Sequence, residues 1–588
     1  MKYCKYGSIE DGDDLRPENT DLSSGGAEKQ YLQPTRLRFI VSALFMLVVA
    51  FVLAETLHIP FKNIHTFQDE ESSLIQDTSN SVVLSSTTSS SALLASENST
   101  SLESFQWRRV SNGNFYVGYL EFCNIGNDTF FYRTAVSPTN SSSIPCENSK
   151  STVSPVIRIR PRMNYKLILI NRSNQPTNLH THGFHVSGVG ISDDITRKVD
   201  PGFCLEYHYR IKDNADVGTF WYHSHRHPIS SKQVAGGAYG LLIIDEPHMD
   251  TFPLHLQRFF RNEVLLQYAG IRHKDKIHRT HLLNGRKEAM NITMNSNEYY
   301  YFRVSFVVIS DPVSYFEILP EGACEARPMA YDGVFRSTLP HPESSAKHML
   351  TLSSRLDLAM KCTDDAQVVF HQGELSSGAG LLNIRVIGDD NDASKETKSK
   401  QVRASPYWDA EQETSWTPRR PYYMPDLVNV NTNFWKVNKW NVTMDSVMVT
   451  KGNDTKPVKK WSINQMRWDP DIAIRELQLG QLVEWTLVNT GPHPFHIHVN
   501  KMQIVQEGGC GYRYEEGEYY DTISSEEPCL VRLQFWDFSG RIVAHCHKLS
   551  HEDHGMMVWI DVMGSDHGVN GTKQAECSDF ALLDPQGP

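Results

Sequence analysis

The chain has 588 residues, with 57 Lys and Arg against 69 Asp and Glu, which gives a formal net charge of −12 at pH 7. A single hydrophobic core rarely grows to this length, so the sequence predicts several domains. The acidic balance argues against nucleic-acid binding as the main activity and is typical of a soluble, self-repelling surface.

The first informative segment is an apolar run near the N-terminus, 39–54, which 55–59 can extend into the lipid headgroups. Six Lys or Arg precede this run, whereas Lys62 is the only one between it and Trp107. By the positive-inside rule, we expect residues 1–38 to form a disordered cytosolic tail and 39–58 a transmembrane signal anchor. The chain would then be a single-pass type II membrane protein whose bulk is lumenal or extracellular. The alternative is a signal peptide cleaved after Val52-Leu53-Ala54, which would release a secreted protein.

Residues 59–103 are rich in Ser and Thr and poor in aromatic residues, which predicts a flexible stalk. Repeated Asn-x-Ser/Thr sequons beyond a membrane segment favour a glycosylated ectodomain. The eight sequons begin at Asn98, Asn127, Asn140, Asn171, Asn291, Asn441, Asn453 and Asn570.

The cysteines agree with an oxidising compartment. Of the ten, Cys4 falls in the cytosolic tail and a second belongs to a metal motif described below. Eight remain, an even number that permits four disulfides: Cys123, Cys146, Cys204, Cys324, Cys362, Cys510, Cys529 and Cys577. Among these we expect two local pairs, Cys324–Cys362 and Cys510–Cys529.

From residue 104 onward the sequence consists of short runs of β-branched and aromatic residues with Gly, Pro and Asn between them, which predicts an all-β chain of β-sandwiches. One order of features occurs near both ends of this region: strand, His-x-His, strand, His-x-His, closing strand. We therefore predict homologous metal-binding sandwiches at 104–249 and at 425–588, the second followed by a C-terminal tail. Residues 250–387 have the same texture without His-x-His, which predicts a middle sandwich without metal ligands. A charged linker, 388–424, follows it.

Four His-x-His pairs carry the chemistry. Residues i and i+2 of a strand point to the same face, so each pair can offer two imidazoles to one place, and neutral imidazole suits copper. The pairs are His180/His182, His223/His225, His496/His498 and His545/His547. Four pairs inside a duplicated framework predict a cluster of metals between the first and last sandwiches.

Cys546 lies between His545 and His547, so strand alternation sends its sulfur to the opposite face. One thiolate, two imidazoles and a weak thioether make a blue-copper electron-transfer site. His493, His551 and Met556 are spaced to complete such a site. An electron arriving there would have a short covalent path through Cys546 into the cluster.

These motifs resemble those of the multicopper oxidase family with the three-domain, laccase-like architecture, over about 104–565. The motifs are His180-Thr-His-Gly183, Trp221-Tyr-His-Ser-His225, His493-Pro-Phe-His-Ile-His498 and His545-Cys-His-Lys-Leu-Ser-His-Glu-Asp-His-Gly-Met-Met557. The resemblance implies three cupredoxin-like Greek-key sandwiches, four copper ions and reduction of O2 to water.

The resemblance also implies a role for individual residues. His493, Cys546 and His551 match the type 1 copper ligands, with Met556 as the axial ligand. His180 and His496 match the type 2 positions. The type 3 pair is matched by His182, His223, His225, His498, His545 and His547. For proton relay, Glu552 matches a family position, and either Asp193 or Asp194 matches a second one.

The electron donor remains open at this level. Phenols and diphenols, as in laccases, are one class. Fe(II) is the other, as in membrane-tethered ferroxidases, which would imply an iron permease as a possible partner. Ferroxidases place carboxylates beside the type 1 histidines, and Glu552 and Asp553 are the nearest acids in sequence. Outside this class, a copper-binding protein without turnover is a further alternative; a copper nitrite reductase would lack the type 3 set.

Overall fold

The computed structural model describes residues 102–110, 115–138, 145–246, 252, 254–272, 279–308, 313–339, 344–371, 379–388, 420–432, 437–450, 457–511, 513–564 and 574–583. In these ranges the chain forms 32 strands, numbered in chain order, which assemble into six sheets. The predicted tail, anchor and nearly all of the stalk lie outside them. No helix within the described ranges is long and apolar enough to cross a membrane.

The first sandwich packs a six-stranded sheet on a four-stranded sheet. The larger sheet contains β1 (Arg108–Arg109), β2 (Phe115–Ile125), β3 (Thr129–Ala135), β5 (Asn164–Asn171), β7 (Phe203–Arg210) and β32 (Ala575–Glu576). The smaller sheet has the order β4 (Ile157–Ile159), β9 (Tyr239–Ile244), β8 (Gly218–His223) and β6 (His180–His182). Alternate apolar residues of both sheets, such as Leu169 and Phe220, form the core between them.

The middle sandwich is built in the same way. Its six-stranded sheet has the order β11 (Arg279–Leu283), β10 (Glu263–Arg272), β13 (Tyr299–Val308), β18 (Arg355–Cys362), β15 (Cys324–Tyr331) and β16 (Val334–Phe335). Its five-stranded sheet has the order β12 (Met290–Asn295), β20 (Ala379–Ile387), β19 (Ala366–His371), β14 (Val313–Leu319) and β17 (Lys347–Thr351).

The last sandwich holds two of the four predicted His-x-His pairs, His496/His498 and His545/His547. Its six-stranded sheet has the order β22 (Val458–Ile463), β21 (Asn438–Val449), β24 (Leu482–Val488), β29 (Cys529–Gln534), β26 (Met502–Ile504) and β27 (Tyr519–Tyr520). Its five-stranded sheet has the order β23 (Arg475–Gln478), β31 (Met557–Met563), β30 (Gly540–Cys546), β25 (Phe495–Ile497) and β28 (Thr522–Ile523). Three short helices connect strands: α1 (Ser230–Ala235), α2 (Leu254–Arg261) and α3 (Leu549–Asp553).

One pattern of strand pairing recurs in all three sandwiches. Each larger sheet contains one parallel pair of strands among antiparallel pairs: β2 with β5, β10 with β13, and β21 with β24. In the smaller sheets β4 and β9, β12 and β20, and β23 and β31 also pair in parallel. This repetition agrees with three cupredoxin-like sandwiches and confirms the mostly β class.

The expected four disulfides are present, and both local pairs are confirmed. Cys123–Cys146 and Cys204–Cys577 complete the set, while Cys546 is free and buried. Cys577 follows β32, whose pairing with β7 returns the C-terminal segment to the first sandwich. Residues 574–583, which follow the last sandwich in sequence, are therefore attached to the first sandwich.

The fold changes the interpretation of one glycosylation sequon and of the end of the predicted linker. Asn171, one of the eight sequon positions, is fully buried, and its amide donates to the carbonyls of Gln175 and Val199. It is therefore not a glycan acceptor in the folded protein. At the end of the predicted linker, Tyr423 is buried and donates a hydrogen bond to Asp216, so this part of the segment packs against the first sandwich.

Candidate metal centre

Strand alternation separates the two predicted sites on β30. Ile542, Ala544 and Cys546 face the core of the last sandwich, whereas Val543 and His545 face away from it. The same alternation on β25 buries Phe495 in the core and turns His496 outward. Because β25 and β30 are antiparallel neighbours, His496 is paired with His545 and Phe495 with Cys546. One pair of strands thus presents histidines on one face and the cysteine on the other.

The first sandwich presents its own histidines in the matching way. On β8, Phe220 and Tyr222 lie in the core, and His223 points to the opposite face. β6 pairs antiparallel with β8, which sets His180 opposite His223. Two sheets, one from each end of the chain, therefore supply the same arrangement of imidazoles.

All eight predicted histidines come together in one buried cluster, here called the histidine cluster: His180, His182, His223, His225, His496, His498, His545 and His547. Histidine rings of the first and last sandwiches stack on each other. The ring centroids are 3.9 Å apart for His180 and His498 and 3.8 Å apart for His182 and His496. Nε2 of His545 lies 3.2 Å from Nε2 of His225 and 3.3 Å from Nε2 of His498.

The cluster has the donor chemistry of a metal site. Burial, followed by repulsion from neighbouring imidazoles, lowers the pKa of His180 and His225 well below the ordinary value, and burial lowers that of His545 to about 4. The rings are therefore neutral near pH 7, as metal ligation requires. Buried ring nitrogens without a hydrogen-bond partner among the described residues remain on His180, His182, His223, His225, His496 and His547. These nitrogens are available to a bound cation, since buried polar atoms in proteins are rarely left without a partner.

The second group, here called the cysteine site, consists of His493, Cys546, His551 and Met556. Sγ of Cys546 lies 3.9 Å from Nδ1 of both His493 and His551, and the two Nδ1 atoms are 2.9 Å apart. Met556 is fully buried in the same core as Cys546. Its backbone donates to the carbonyl of His551 and accepts from the N–H of Cys546, which fixes it beside both residues.

The cysteine site also fits a soft metal. Burial raises the pKa of the Cys546 thiol to about 12, so the thiolate needs a cation, and a coordinating metal deprotonates a thiol outright. Burial, followed by the charge of Lys548, lowers the pKa of His493 to about 4 and of His551 to about 3. Two neutral imidazoles and a thiol in one pocket match the ligand set of a copper electron-transfer site.

The three predicted acids are placed differently. Asp193 is buried, and its Oδ2 lies 2.7 Å from Nδ1 of His180 while its Oδ1 accepts from Thr181. Asp194 instead accepts from the backbone and hydroxyl of Thr196 and does not join the cluster. The structure therefore favours Asp193 where the sequence left both open.

Glu552 is fully buried beneath the cluster. Its carboxylate lies 3.5 Å from Nδ1 of His225 and 3.6 Å from Nδ1 of His545, and it accepts from the hydroxyl of Ser230. Burial, followed by the charge of Asp553, raises the pKa of Glu552 well above the ordinary value. Burial thus favours a protonated carboxyl directly beside two cluster histidines.

Sequence reasoning missed a third acid at the cluster, Asp521. Its Oδ1 lies 3.2 Å from Nε2 of His182, and its backbone carbonyl lies 2.9 Å from Nδ1 of His496. Arg355, fully buried at the start of β18, pairs with this carboxylate and also donates to the carbonyl of Thr219. No local motif marks either residue, because the contact joins the middle and last sandwiches.

Asp521 and Arg355 also explain the glycine of the first motif. Gly183 has φ of +82°, and a Cβ there would lie 2.5 Å from the Asp521 carboxylate and 2.6 Å from the Arg355 guanidinium. A left-handed backbone and this close approach both favour glycine. The Gly of His-Thr-His-Gly thus makes room for the ion pair that backs the cluster.

Comparison with known proteins agrees with this chemistry. Two family models, both described as multicopper oxidase, match residues 134–249 and 421–566. The multicopper oxidase mco of Staphylococcus haemolyticus is 22% identical over 416 residues, which span 69% of this chain and 81% of that protein. The bilirubin oxidase of Albifimbria verrucaria is 23% identical over 486 residues, 76% of this chain and 79% of that protein.

Solved structures show the same fold. The laccase of Pediococcus acidilactici superposes with a TM-score of 0.56 at 17% identity, covering 79% of this chain and 93% of its own. The two family models match the two regions that carry the histidines and the cysteine. The chain therefore belongs to the multicopper oxidase family of copper-dependent oxidoreductases that reduce O2.

Proposed function

We propose that the protein is a laccase-like oxidase, which takes single electrons from aromatic organic donors at the cysteine site and reduces O2 to water at the histidine cluster. The observation that carries this proposal is the position of Cys546. Its sulfur contacts His493 and His551, while its peptide neighbours His545 and His547 belong to the other site. A single residue thus joins the cysteine site to a cluster of eight imidazoles.

Four copper ions complete the proposal and would supply one-electron redox chemistry and O2 binding. His493, Cys546, His551 and Met556 would hold the type 1 ion. His180 and His496 would hold the type 2 ion, and His182, His223, His225, His498, His545 and His547 the type 3 pair. Reduction of O2 to two waters consumes four electrons and four protons. Glu552 and Asp193 are placed against the cluster histidines and would supply or relay those protons.

A ferrous donor, with an iron permease as partner, is the alternative within the family. The two acids nearest to His551 in sequence are engaged elsewhere, which gives this alternative less support. Glu552 faces the histidine cluster, and Asp553 accepts from the backbone and hydroxyl of Ser230 at the start of α1. The charges that act on His493 come instead from Lys459 and Lys548. An electropositive surround suits an organic donor better than a divalent cation.

The test is O2 consumption by the copper-loaded protein with a diphenol and with Fe(II) under matched conditions. The proposal expects faster turnover of the diphenol, and no turnover by Cys546→Ser, which also loses the blue absorption. Faster turnover of Fe(II) above its uncatalysed rate would favour the ferroxidase. Copper uptake without O2 consumption with either donor would contradict both and leave a copper-binding protein.

Location is proposed on the sequence alone. We propose that residues 39–58 anchor the chain in a membrane with the oxidase on the lumenal or extracellular side. The four disulfides support an oxidising compartment for the oxidase. Protease treatment of sealed vesicles tests this placement: protection of the oxidase, with loss of an N-terminal tag, is expected for vesicles with the lumenal side inside.

A further inference from the structure

An aromatic side chain continues the cysteine site outward. Trp461, on β22, stacks on His551 with ring centroids 4.2 Å apart and planes inclined by 20°. The centroid of its ring lies 5.0 Å from that of His493. Trp461 is only partly buried, so the stack leads from the imidazole that contacts Cys546 to the protein surface. An aromatic donor that stacked here would be in line with the cysteine site.

Positive charge surrounds this aromatic surface. Nζ of Lys459, which is exposed, lies 5.1 Å from the Trp461 ring centroid. Lys548, directly after His547, acts electrostatically on both His493 and His551. The chain as a whole carries a net charge of −12, so this patch is opposite in sign to the molecule that bears it.

Two more charged groups lie near the end of α3. The guanidinium of Arg467 donates to the carbonyl of His554, which follows α3. Asp553, one of the two acids on that helix, accepts hydrogen bonds from Ser230 and Ser231. Its carboxylate is therefore engaged by the first sandwich. A local patch of positive charge on an acidic protein attracts anions to that patch.

We propose that the preferred electron donors are aromatic anions, such as sulfonated or carboxylated phenols, which bind at Trp461 with their charge toward Lys459 and Lys548. This proposal rests on the proposed function and names its substrate class. Each diphenol would lose one electron to the protein and one proton to water. Two of the resulting semiquinones then disproportionate to one quinone and one diphenol. Four such oxidations supply the four electrons that convert one O2, with four protons, to two waters.

The first test compares donors of one ring system and different charge. Catechol, catechol-4-sulfonate and dopamine are mixed anaerobically with the copper-loaded full-length protein, and bleaching of the blue absorption is followed by stopped flow. We expect the second-order rate of the sulfonate to fall as ionic strength rises from about 0.02 to 0.2 M, and that of dopamine to rise. Equal salt dependence for the three donors would overturn the proposal.

Variants separate this charge effect from intrinsic donor reactivity. Lys459→Glu should lower the ratio of the sulfonate rate to the catechol rate about twofold to fivefold, which is the range for an exposed charge pair. Lys347→Gln is the matched control, because Lys347 lies 4.3 Å over the Tyr315 ring on β17 of the middle sandwich. An unchanged ratio in Lys459→Glu, or an equal change in Lys347→Gln, would contradict the proposal.

Binding of a redox-inert ligand gives a readout that needs no turnover. Calorimetric titration with naphthalene-2-sulfonate should show binding that weakens in Lys459→Glu and in Trp461→Leu, and tighter binding than naphthalene-2-methanol. Equal affinity for both ligands would overturn the proposal. Failure of the proposed oxidase function would give a different result from failure of the donor proposal. In that case the donors would bleach the blue absorption, but O2 would not restore it.

Discussion

Arg355 of the middle sandwich donates to the carboxylate of Asp521 in the last sandwich, with 3.1 Å between Nη1 and Oδ1. The same guanidinium donates to the carbonyls of Thr219, in the first sandwich, and Ser353. Asp521 in turn contacts His182 and, through its backbone, His496. The sandwich without predicted metal ligands is therefore connected to the histidine cluster through one buried ion pair.

This relationship predicts the effect of Arg355→Met. We expect copper affinity or O2 turnover to fall by about 10- to 100-fold, the usual cost of losing a group that orients metal ligands. The EPR spectrum of the cluster copper should change, while the blue absorption of the cysteine site stays. Asp521→Asn keeps the side-chain volume and should give the same spectral change. An unaltered EPR spectrum in both variants, with normal copper content, would contradict the positioning role.

Replacing His545 and His547 together by Ala should separate the two halves of the reaction. Both belong to the histidine cluster, whereas the sulfur of Cys546 faces the other way. We expect the blue absorption to persist and to be bleached by a diphenol, with O2 unable to restore it. Circular dichroism controls for folding. Normal O2 consumption in this variant would refute the connection through Cys546.

Glu552→Gln tests proton supply. Glu552 lies 3.5 Å from His225 and is otherwise held by Ser230, so the amide preserves its size and its bond to the hydroxyl. Loss of a positioned proton donor costs about 10²- to 10⁴-fold in rate. We expect O2 turnover to fall by that order and anaerobic bleaching to keep its rate. Asp194→Asn, at an acid outside the cluster, is the control and should retain turnover.

Asp537 gives a prediction for stability against pH. Burial would raise its pKa, but hydrogen bonds from His185, Lys212 and Tyr422 outweigh burial and lower it. A lowered folded-state pKa stabilises the fold above the unfolded carboxyl pKa of about 4, and this contribution is lost as pH falls further. Asp537→Asn should therefore have a lower melting temperature than the parent at pH 7. We expect its free energy of unfolding to be lower by about 1 kcal/mol, because the hydrogen-bond partners are partly exposed.

The melting temperatures of the two proteins should converge as pH falls from about 4 toward the lowered folded-state pKa of Asp537. In this range the unfolded parent takes up a proton first, so the stabilisation by the charged carboxylate is lost progressively. Differential scanning calorimetry at several pH values measures both curves. Asp213→Asn is a suitable control, since Asp213 pairs with Arg162 on an exposed part of the first sandwich. A constant difference between parent and Asp537→Asn at all pH values would refute this account.

Period-2 alternation made much of the site predictable from sequence. On β30 it places His545 and Cys546 on opposite faces whatever the partner strands are, and the spacing from Cys546 to His551 and Met556 is local. The disulfides Cys324–Cys362 and Cys510–Cys529 were expected only because the partners are near each other in sequence. The choice between Asp193 and Asp194 was not predictable, because both follow the first histidine pair closely and only the packed loop turns one toward His180.

The sequence by itself determined the donor atoms: which residues offer imidazole or thiolate, and on which face of a strand each side chain lies. Only the tertiary structure decided which groups surround them. Asp521, Arg355 and Trp461 come from sheets that meet the histidines through long-range packing, so no spacing in the sequence marks them. Strand periodicity is a property of neighbouring residues, whereas the electrostatic setting of a buried site depends on contacts between distant segments.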